Sequence, residues 1–331
     1  NVFIDSLLPK PYRVTMKPLF PIAWIFWFTG AAISAPAGET PLYTGPVSGS
    51  VNAVLGGVGT GVFEVLADGR FGGITYQNNP DRPLHDPAGC FAAIWVSDPA
   101  GTKAKGLYRN PSDPRAVDAA EVEPSYPWVR VAYQDPELPV HVRLEALSLV
   151  VPLDENESCH PAAVLRFWVK NNAAQPVNAA VAVSWRNLIG LGGTAELIFE
   201  PSGEVSQEVI KRGRLSGIHF LGQLDSSQPL NQNAFGDTAL VYQSGKNEAV
   251  SYLPAWAPEE SPAAFWEPFE KNGGFEKAKS PVKFTVSGPY RPAAAVAARQ
   301  TIGAGQEETF VFIVAWHMPH RIGADNADSG V

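Results

Sequence analysis

From Val51 onward the sequence keeps returning to one pattern: short apolar runs in which every second residue is hydrophobic, broken by glycine, proline, asparagine or aspartate. Alternation with period two puts successive side chains on opposite faces of a strand, so a chain written this way folds as antiparallel β-structure. Val62-Phe63-Glu64-Val65-Leu66 runs into Asp68-Gly69 and returns through Arg70-Phe71, and Asp-Gly between apolar segments is a strong hairpin signal. Val129, Val131 and Tyr133 alternate with Arg130 and Ala132 until Asp135-Pro136-Glu137-Leu138-Pro139 turns the chain, and Val140, Val142 and Leu144 bring it back. The spacing predicts a third hairpin, pairing residues 163–169 with 177–185 across Asn171-Asn172-Ala173-Ala174-Gln175-Pro176. Thr309 to Trp316 is apolar nearly throughout, as a strand buried on both faces or crossing a sandwich core would be. One short helix is expected from Ala263 to Lys271, interrupted by Pro268, and residues 187–235 are expected to hold long loops. The fold class that follows is all-β, a large antiparallel β-sandwich.

With 45% hydrophobic and 18% charged residues, the 331-residue chain can bury one large core or two ordinary ones. No repeat and no Ser/Gly linker divides the stretch from Val51 to His320, so residues 51–320 are assigned to one domain. A net charge of −8, with Lys and Arg scattered, leaves no basic stripe to follow a phosphate backbone, which excludes nucleic acid as a partner. The nine tryptophans serve either a sandwich core or the stacking of sugar rings, with the core as the default.

Ahead of the sandwich, Met16-Lys17 opens a positively charged start that leads into the apolar run Leu19 to Phe28 and then small residues. That order reads as a secretory signal peptide, with Ala35-Pro36-Ala37 before Gly38 as the cleavage site. Residues 1–37 are therefore expected to be upstream sequence plus signal peptide, residues 38–50 a linker, and the protein exported to the periplasm or exterior. The apolar run is shorter than the roughly 20 residues that cross a bilayer, so no stable membrane span is expected. An oxidising compartment would let Cys90 and Cys159 pair if the fold brought them together. The alternative is two buried free thiols.

Motifs of established chemistry are scarce. Gly56-Gly57-Val58-Gly59-Thr60-Gly61 has the glycine content of a phosphate loop, but a strand follows it where that mechanism needs a helix N-terminus. Its glycines are expected to serve positive φ or a close backbone approach. His317-x-x-His320 is a weak metal signal on its own, no Gly-x-Ser-x-Gly elbow occurs, and no carboxylate pair stands out by spacing, so neither metal nor cofactor is assigned.

Taken in order, several stretches resemble one family. Leu55 to Gly61, Ala67-Asp68-Gly69-Arg70-Phe71 and Tyr76-Gln77-Asn78-Asn79 resemble the opening signature of glycoside hydrolase family 116, the non-lysosomal glucosylceramidase and β-glucosidase family. Pro87 to Trp95, Tyr126 to Val131, Leu144-Glu145-Ala146, Val183 to Gly190, Phe265 to Phe269 and Ala315 to Pro319 continue the resemblance over roughly residues 50–320. Cys90 stands where the family usually has serine. The resemblance implies a non-catalytic N-terminal sandwich that supports a C-terminal (α/α)6 barrel of the same polypeptide. That barrel, which supplies both carboxylates for retaining cleavage of β-glycosides, would begin beyond a linker at 321–331. Asn78 and Asn79, as partners for sugar hydroxyls, and Trp316 and His317, near the exit toward the barrel, are the candidates for a substrate rim or an interdomain surface. Structural roles are the competing readings: packing for Trp316 and a hydrogen-bonded histidine for His317. A sandwich separated from its barrel would expose Trp316, Trp266 and Phe269 to water. The alternative function is a free-standing carbohydrate-binding or adhesion module.

Overall fold

The computed structural model describes residue 51 and residues 53–79, 83–191, 203–224, 235–245, 248–286 and 291–319. The expected signal peptide, the linker at 38–50, His320 and the segment 321–331 lie outside these residues. Among the described residues no helix is long and apolar enough to cross a membrane.

The chain begins with three short strands, β1 (Val54–Leu55), β2 (Phe63–Val65) and β3 (Phe71–Gly72), followed by β4 (Phe91–Asp98), β5 (Gly101–Arg109), β6 (Ala116–Val117) and β7 (Ala119–Ser125). Next come β8 (Trp128–Gln134), β9 (Val140–Ser148), a one-turn helix α1 (Glu155–Ser158), β10 (Ala162–Asn171) and β11 (Val177–Arg186). The remainder is β12 (Gly203–Arg212), β13 (Leu215–Leu224), β14 (Asp237–Gln243), β15 (Ala249–Trp256), helix α2 (Ala263–Asn272), β16 (Val282–Val286), β17 (Ala293–Ile302) and β18 (Glu307–His317).

These strands form a nine-stranded sheet in the order β16-β12-β13-β14-β18-β10-β9-β8-β7, a six-stranded sheet β15-β17-β11-β4-β5-β6, and a small sheet β1-β2-β3. Pairing is antiparallel apart from the parallel contact of β5 with β6. The two large sheets share one core. Ile94, Val181, Val183 and Val296 from the smaller sheet meet Leu144, Leu165, Phe167, Phe220, Phe310 and Phe312 from the larger. Alternation decides which side faces in: β8 exposes Trp128, Arg130, Ala132 and Gln134 and buries Val129, Val131 and Tyr133 between them.

The six-stranded sheet is buried on its second face as well, which explains why β11 and β17 lack alternation. Their outward positions carry Ala180, Ala182, Ala293, Ala295 and Ala297, and this flat surface lets α2 approach closely with Phe265, Trp266 and Phe269. Each buried ring contributes about 1.5–3 kcal/mol. The helix is held end-on as well: Trp95 Nε1 donates to the Glu270 carbonyl at 2.9 Å. Trp266 and Phe269 therefore do not wait for a neighbouring domain, contrary to the expectation from sequence. Pro268 lies inside a continuous helix and does not interrupt it.

Two hairpins stand where alternation put them, at β2–β3 and β8–β9. The third does not form. β10 pairs with β9 and β18 in the large sheet, whereas β11 pairs with β4 and β17 in the other, so the turn between them crosses the sandwich. Asn171 anchors that crossing, its amide nitrogen donating to the carbonyls of Gln175, Ile302 and Gly303. Within 187–235, where loops are expected, residues 203–224 form the long pair β12–β13, while residues 192–202 and 225–234 lie outside the described residues. The cysteines are both free. Cys90 is buried, which pushes its thiol up to about 12, while Cys159 is exposed and so departs from the buried-thiol reading.

Candidate functional site

Four of the stretches that carry the family resemblance, Leu55 to Gly61, Tyr76 to Asn79, Val183 to Gly190 and Ala315 to Pro319, meet at one end of the sandwich, where β18 finishes. The glycine-rich loop between β1 and β2 lies there: Gly56 N–H donates to Ser148 Oγ at 2.9 Å and Val58 N–H to the Ser158 carbonyl at 2.8 Å. A strand follows the glycines, so they present no helix terminus to a phosphate. Close approach is what they permit. Gly61 has φ +80°, and a Cβ there would lie 2.4 Å from Tyr76 Cα.

Beneath this loop sits Trp316, which is 1% exposed. Its ring stacks on Tyr76 with centroids 4.8 Å apart, and its Nε1 donates to the Thr60 carbonyl at 2.8 Å. Trp185 Nε1 donates to the Tyr76 hydroxyl at 3.0 Å, and Phe63 meets both tryptophans edge-on. Burial drives the Tyr76 phenol far above its usual range, so it stays neutral. Trp316 is thus an internal keystone and does not face water, which corrects the expectation that separation from a barrel would expose it.

Asn79 is buried in the turn after β3. Its Nδ2 donates to the Ile74 carbonyl at 3.0 Å and its Oδ1 accepts the Gln77 N–H at 3.2 Å, so it braces the turn. Asn78 is half-buried with φ +55°, a left-handed conformation that asparagine tolerates better than most residues. The neighbouring Gln77 side chain is fully buried and has no hydrogen-bond partner among the described residues.

His317 belongs to a polar row on the outer face of the large sheet. Its side chain is 48% exposed, with Nδ1 at 3.6 Å from Asp237 Oδ2. Asp237 Oδ1 lies 2.8 Å from His219 Nε2, and His219 Nδ1 lies 3.4 Å from Glu208 Oε1. The ladder causes this alignment, because Asp237 pairs with His317 and Glu208 with His219, and cross-strand partners share a face. His219, Asp237 and Glu208 escape sequence reading, since no local motif links the strands that carry them. Burial works to raise the Asp237 carboxyl, but hydrogen bonds and charge from His219, then His317, outweigh it and hold the group below its ordinary range.

A pH dependence follows. The folded-state pKa lies below the unfolded value, so Asp237 contributes its full stabilisation above the ordinary 3.8, and that contribution is lost as pH falls through the folded value. Urea midpoints measured from pH 6 downward should show Asp237→Asn less stable than wild type at the top of the range, with the gap closing as the pH falls below that of an ordinary aspartate. A gap that stays constant with pH would show that Asp237 is not held by charge.

Among the described residues, no group of three or more His, Cys, Asp and Glu is arranged to hold a metal. A groove of about 920 Å³ lies at the opposite end of the large sheet, where His141, Arg143, Lys170 and Glu307 mix both charges. The candidates Asn78, Asn79, Trp316 and His317 do not line it.

Fold and site together define the class: a large two-sheet sandwich domain, one end of which is closed by a glycine-rich loop seated on stacked aromatic rings. The chain belongs to the family described as beta-glucosidase 2, glycosyl-hydrolase family 116 N-term, whose profile matches residues 53–328, and is therefore a glycosidase-associated domain. No curated protein matches it. Among solved structures it is similar to a bacterial glucoamylase complexed with acarbose, at 10% identity and TM-score 0.44, over 85% of this chain and 33% of that one. It is also similar to a putative kojibiose phosphorylase from human microbiome, at 9% identity and TM-score 0.34, over 68% of this chain and 21% of that one. The chain spans about a third of the glucoamylase's length.

Proposed function

We propose that the chain is the non-catalytic N-terminal sandwich of a retaining β-glycosidase of the β-glucosidase or glucosylceramidase type, packing on and supporting a C-terminal (α/α)6 barrel of the same polypeptide. The observation that carries this reading is the family match over residues 53–328. The site geometry supports it. Tyr76, Asn79, Trp185 and Trp316, which lie in the recognisable stretches, are buried and engaged with one another or with backbone, so they shape a domain and offer no reactive group. Retaining cleavage needs two carboxylates about 5–5.5 Å apart, and in this reading the barrel supplies both. Asn78 and His317 keep some exposure and are the members of the candidate set able to meet a β-glycoside at a shared rim, while Asn79 and Trp316 are buried. The protein is exported, with its signal peptide starting at Met16 and removed near Gly38.

The purified 331-residue chain is expected to leave aryl β-glucosides unhydrolysed, while the protein extended through the barrel turns them over. Turnover by the short chain that survives rigorous purification and disappears on substituting a carboxylate within residues 51–320 would overturn this reading.

A further inference from the structure

Six large hydrophobic side chains are more than a third exposed among the described residues: Val58, Tyr126, Trp128, Leu149, Val151 and Leu153. They come from three separate stretches of sequence, yet hydrogen bonds gather them at one end of the sandwich. Val58 N–H donates to the Ser158 carbonyl at 2.8 Å and Val151 N–H to Ser158 Oγ at 3.0 Å, tying the glycine loop to the segment before α1. Ser148 N–H donates to the Pro127 carbonyl at 2.9 Å, and Trp128 stands opposite Leu147 in the β8–β9 ladder, which adds the tip of the β7–β8 hairpin. Scattered exposed apolar residues need no explanation, but a cluster drawn from distant segments marks an interaction surface.

Leu153 is the extreme member. Its side chain is wholly exposed, and its backbone is held at φ +66°, a conformation seldom adopted by residues with a side chain. Outliers of this kind persist where the surroundings or a function require them. Nothing among the described residues covers it.

We propose that this apolar end is the docking surface for the domain that follows the sandwich in the longer polypeptide, an inference that rests on the reading given under Proposed function. Continuity of the chain names the occupant. β18 finishes at the same end, with Trp316 N–H donating to the Pro161 carbonyl at 2.9 Å and Ala315 paired with Ala162, so whatever is tethered after His317 is delivered beside the patch at high effective concentration. Charge narrows the choice further. Asp154, Glu155 and Glu157 follow Leu153 directly in the chain, exposed or half-buried, and Asp154 caps α1 by accepting the Glu157 N–H. Such an acidic rim is repelled by an anionic bilayer. A second copy docking through the same patch would bring like charges together. The covering surface is therefore an apolar face flanked by Lys or Arg on the following domain.

Hydroxyl-radical footprinting of the full-length protein tests this directly. Tyr126, Trp128, Leu149 and Leu153 should label far more slowly than their exposure in the sandwich predicts, at all protein concentrations and without lipid. Leu153→Asp, at a site where the sandwich has no packing to lose, should raise the undocked fraction about tenfold or more, because burying one leucine is worth more than a tenfold step in an equilibrium. That variant should also restore labelling of Tyr126 and Trp128. Protection confined to another face of the sandwich would overturn the assignment of this surface and leave the supporting role intact. Protection nowhere on the sandwich would overturn both. Protection that disappears on dilution would assign the patch to a second copy, and protection that appears only with vesicles would assign it to lipid; either result overturns the proposal.

Discussion

Gly61→Ala is expected to abolish recovery of the folded domain, whereas Gly59→Ala two residues away is expected to be mild. Both glycines have positive φ, +80° and +75°, so both substitutions carry the left-handed strain of about 1–2 kcal/mol. Their surroundings separate them. A Cβ at Gly59 meets no atom within 4 Å, while at Gly61 it falls 2.4 Å from Tyr76 Cα, a backbone atom with no rotamer to change. Tyr76 is itself fixed by its stack on Trp316 and by the hydrogen bond from Trp185, so relief means dismantling the aromatic cluster. A loss beyond about 4–5 kcal/mol is expected, comparable with the whole margin of about 5–15 kcal/mol for a domain. Soluble yield and urea midpoints of the two variants decide it. Equal losses in both would mean that the close approach at Gly61 does not exist.

Trp316→Ala is expected to cost about 3–5 kcal/mol, because it removes one of the two tryptophan rings of a fully buried cluster and leaves a cavity under the glycine loop. At ~2–4 °C per kcal/mol for a domain of this size class, the melting temperature should fall by roughly 10 °C. Trp316→Phe should fall between the two, since it keeps most of the stack on Tyr76 but leaves the buried Thr60 carbonyl without its indole donor. Chemical denaturation with an unchanged slope would locate the loss in the folded state. A drop below about 1 kcal/mol would show that Trp316 is loosely held within the sandwich and available to another domain, since well-packed tryptophans do not behave that way.

Much of the architecture was legible because strands announce themselves by period two. Two of the three expected hairpins follow from local signals, the Asp68-Gly69 turn and the proline-bounded turn at 135–139. The third failed for a physical reason: a short polar turn can either fold two strands together or carry the chain between sheets, and what decides is which neighbours complete each ladder. For β10 and β11 those neighbours are β18 and β17, well over a hundred residues further on. Helix α2 was legible only in part, because Pro268 reads as an interruption when the sheet that stabilises the helix is not in view.

The site was less legible. Glycines and aromatics were recognisable as landmarks, and the expectation that the glycines serve close approach agrees with Gly61. Burial of Trp316 and Asn79 depends on packing that residue type alone does not encode. Asp237 gave no local signal, because its partners His219 and His317 belong to the two strands that flank it in the sheet.

The place of β18 in the sheet has a consequence for how the domain is made. It is the last strand of the described chain, yet it occupies the middle of the nine-strand order, joining β14 on one side to β10 on the other. A ribosome delivers β10 long before β18; at about 5–20 residues per second the interval is on the order of ten seconds or more. Throughout that time the edge of β10 has no partner, and from its own synthesis onward neither has the facing edge of β14; open edges recruit foreign strands. A nascent chain halted before Glu307 would therefore be two adhesive half-sheets and not a smaller version of the domain.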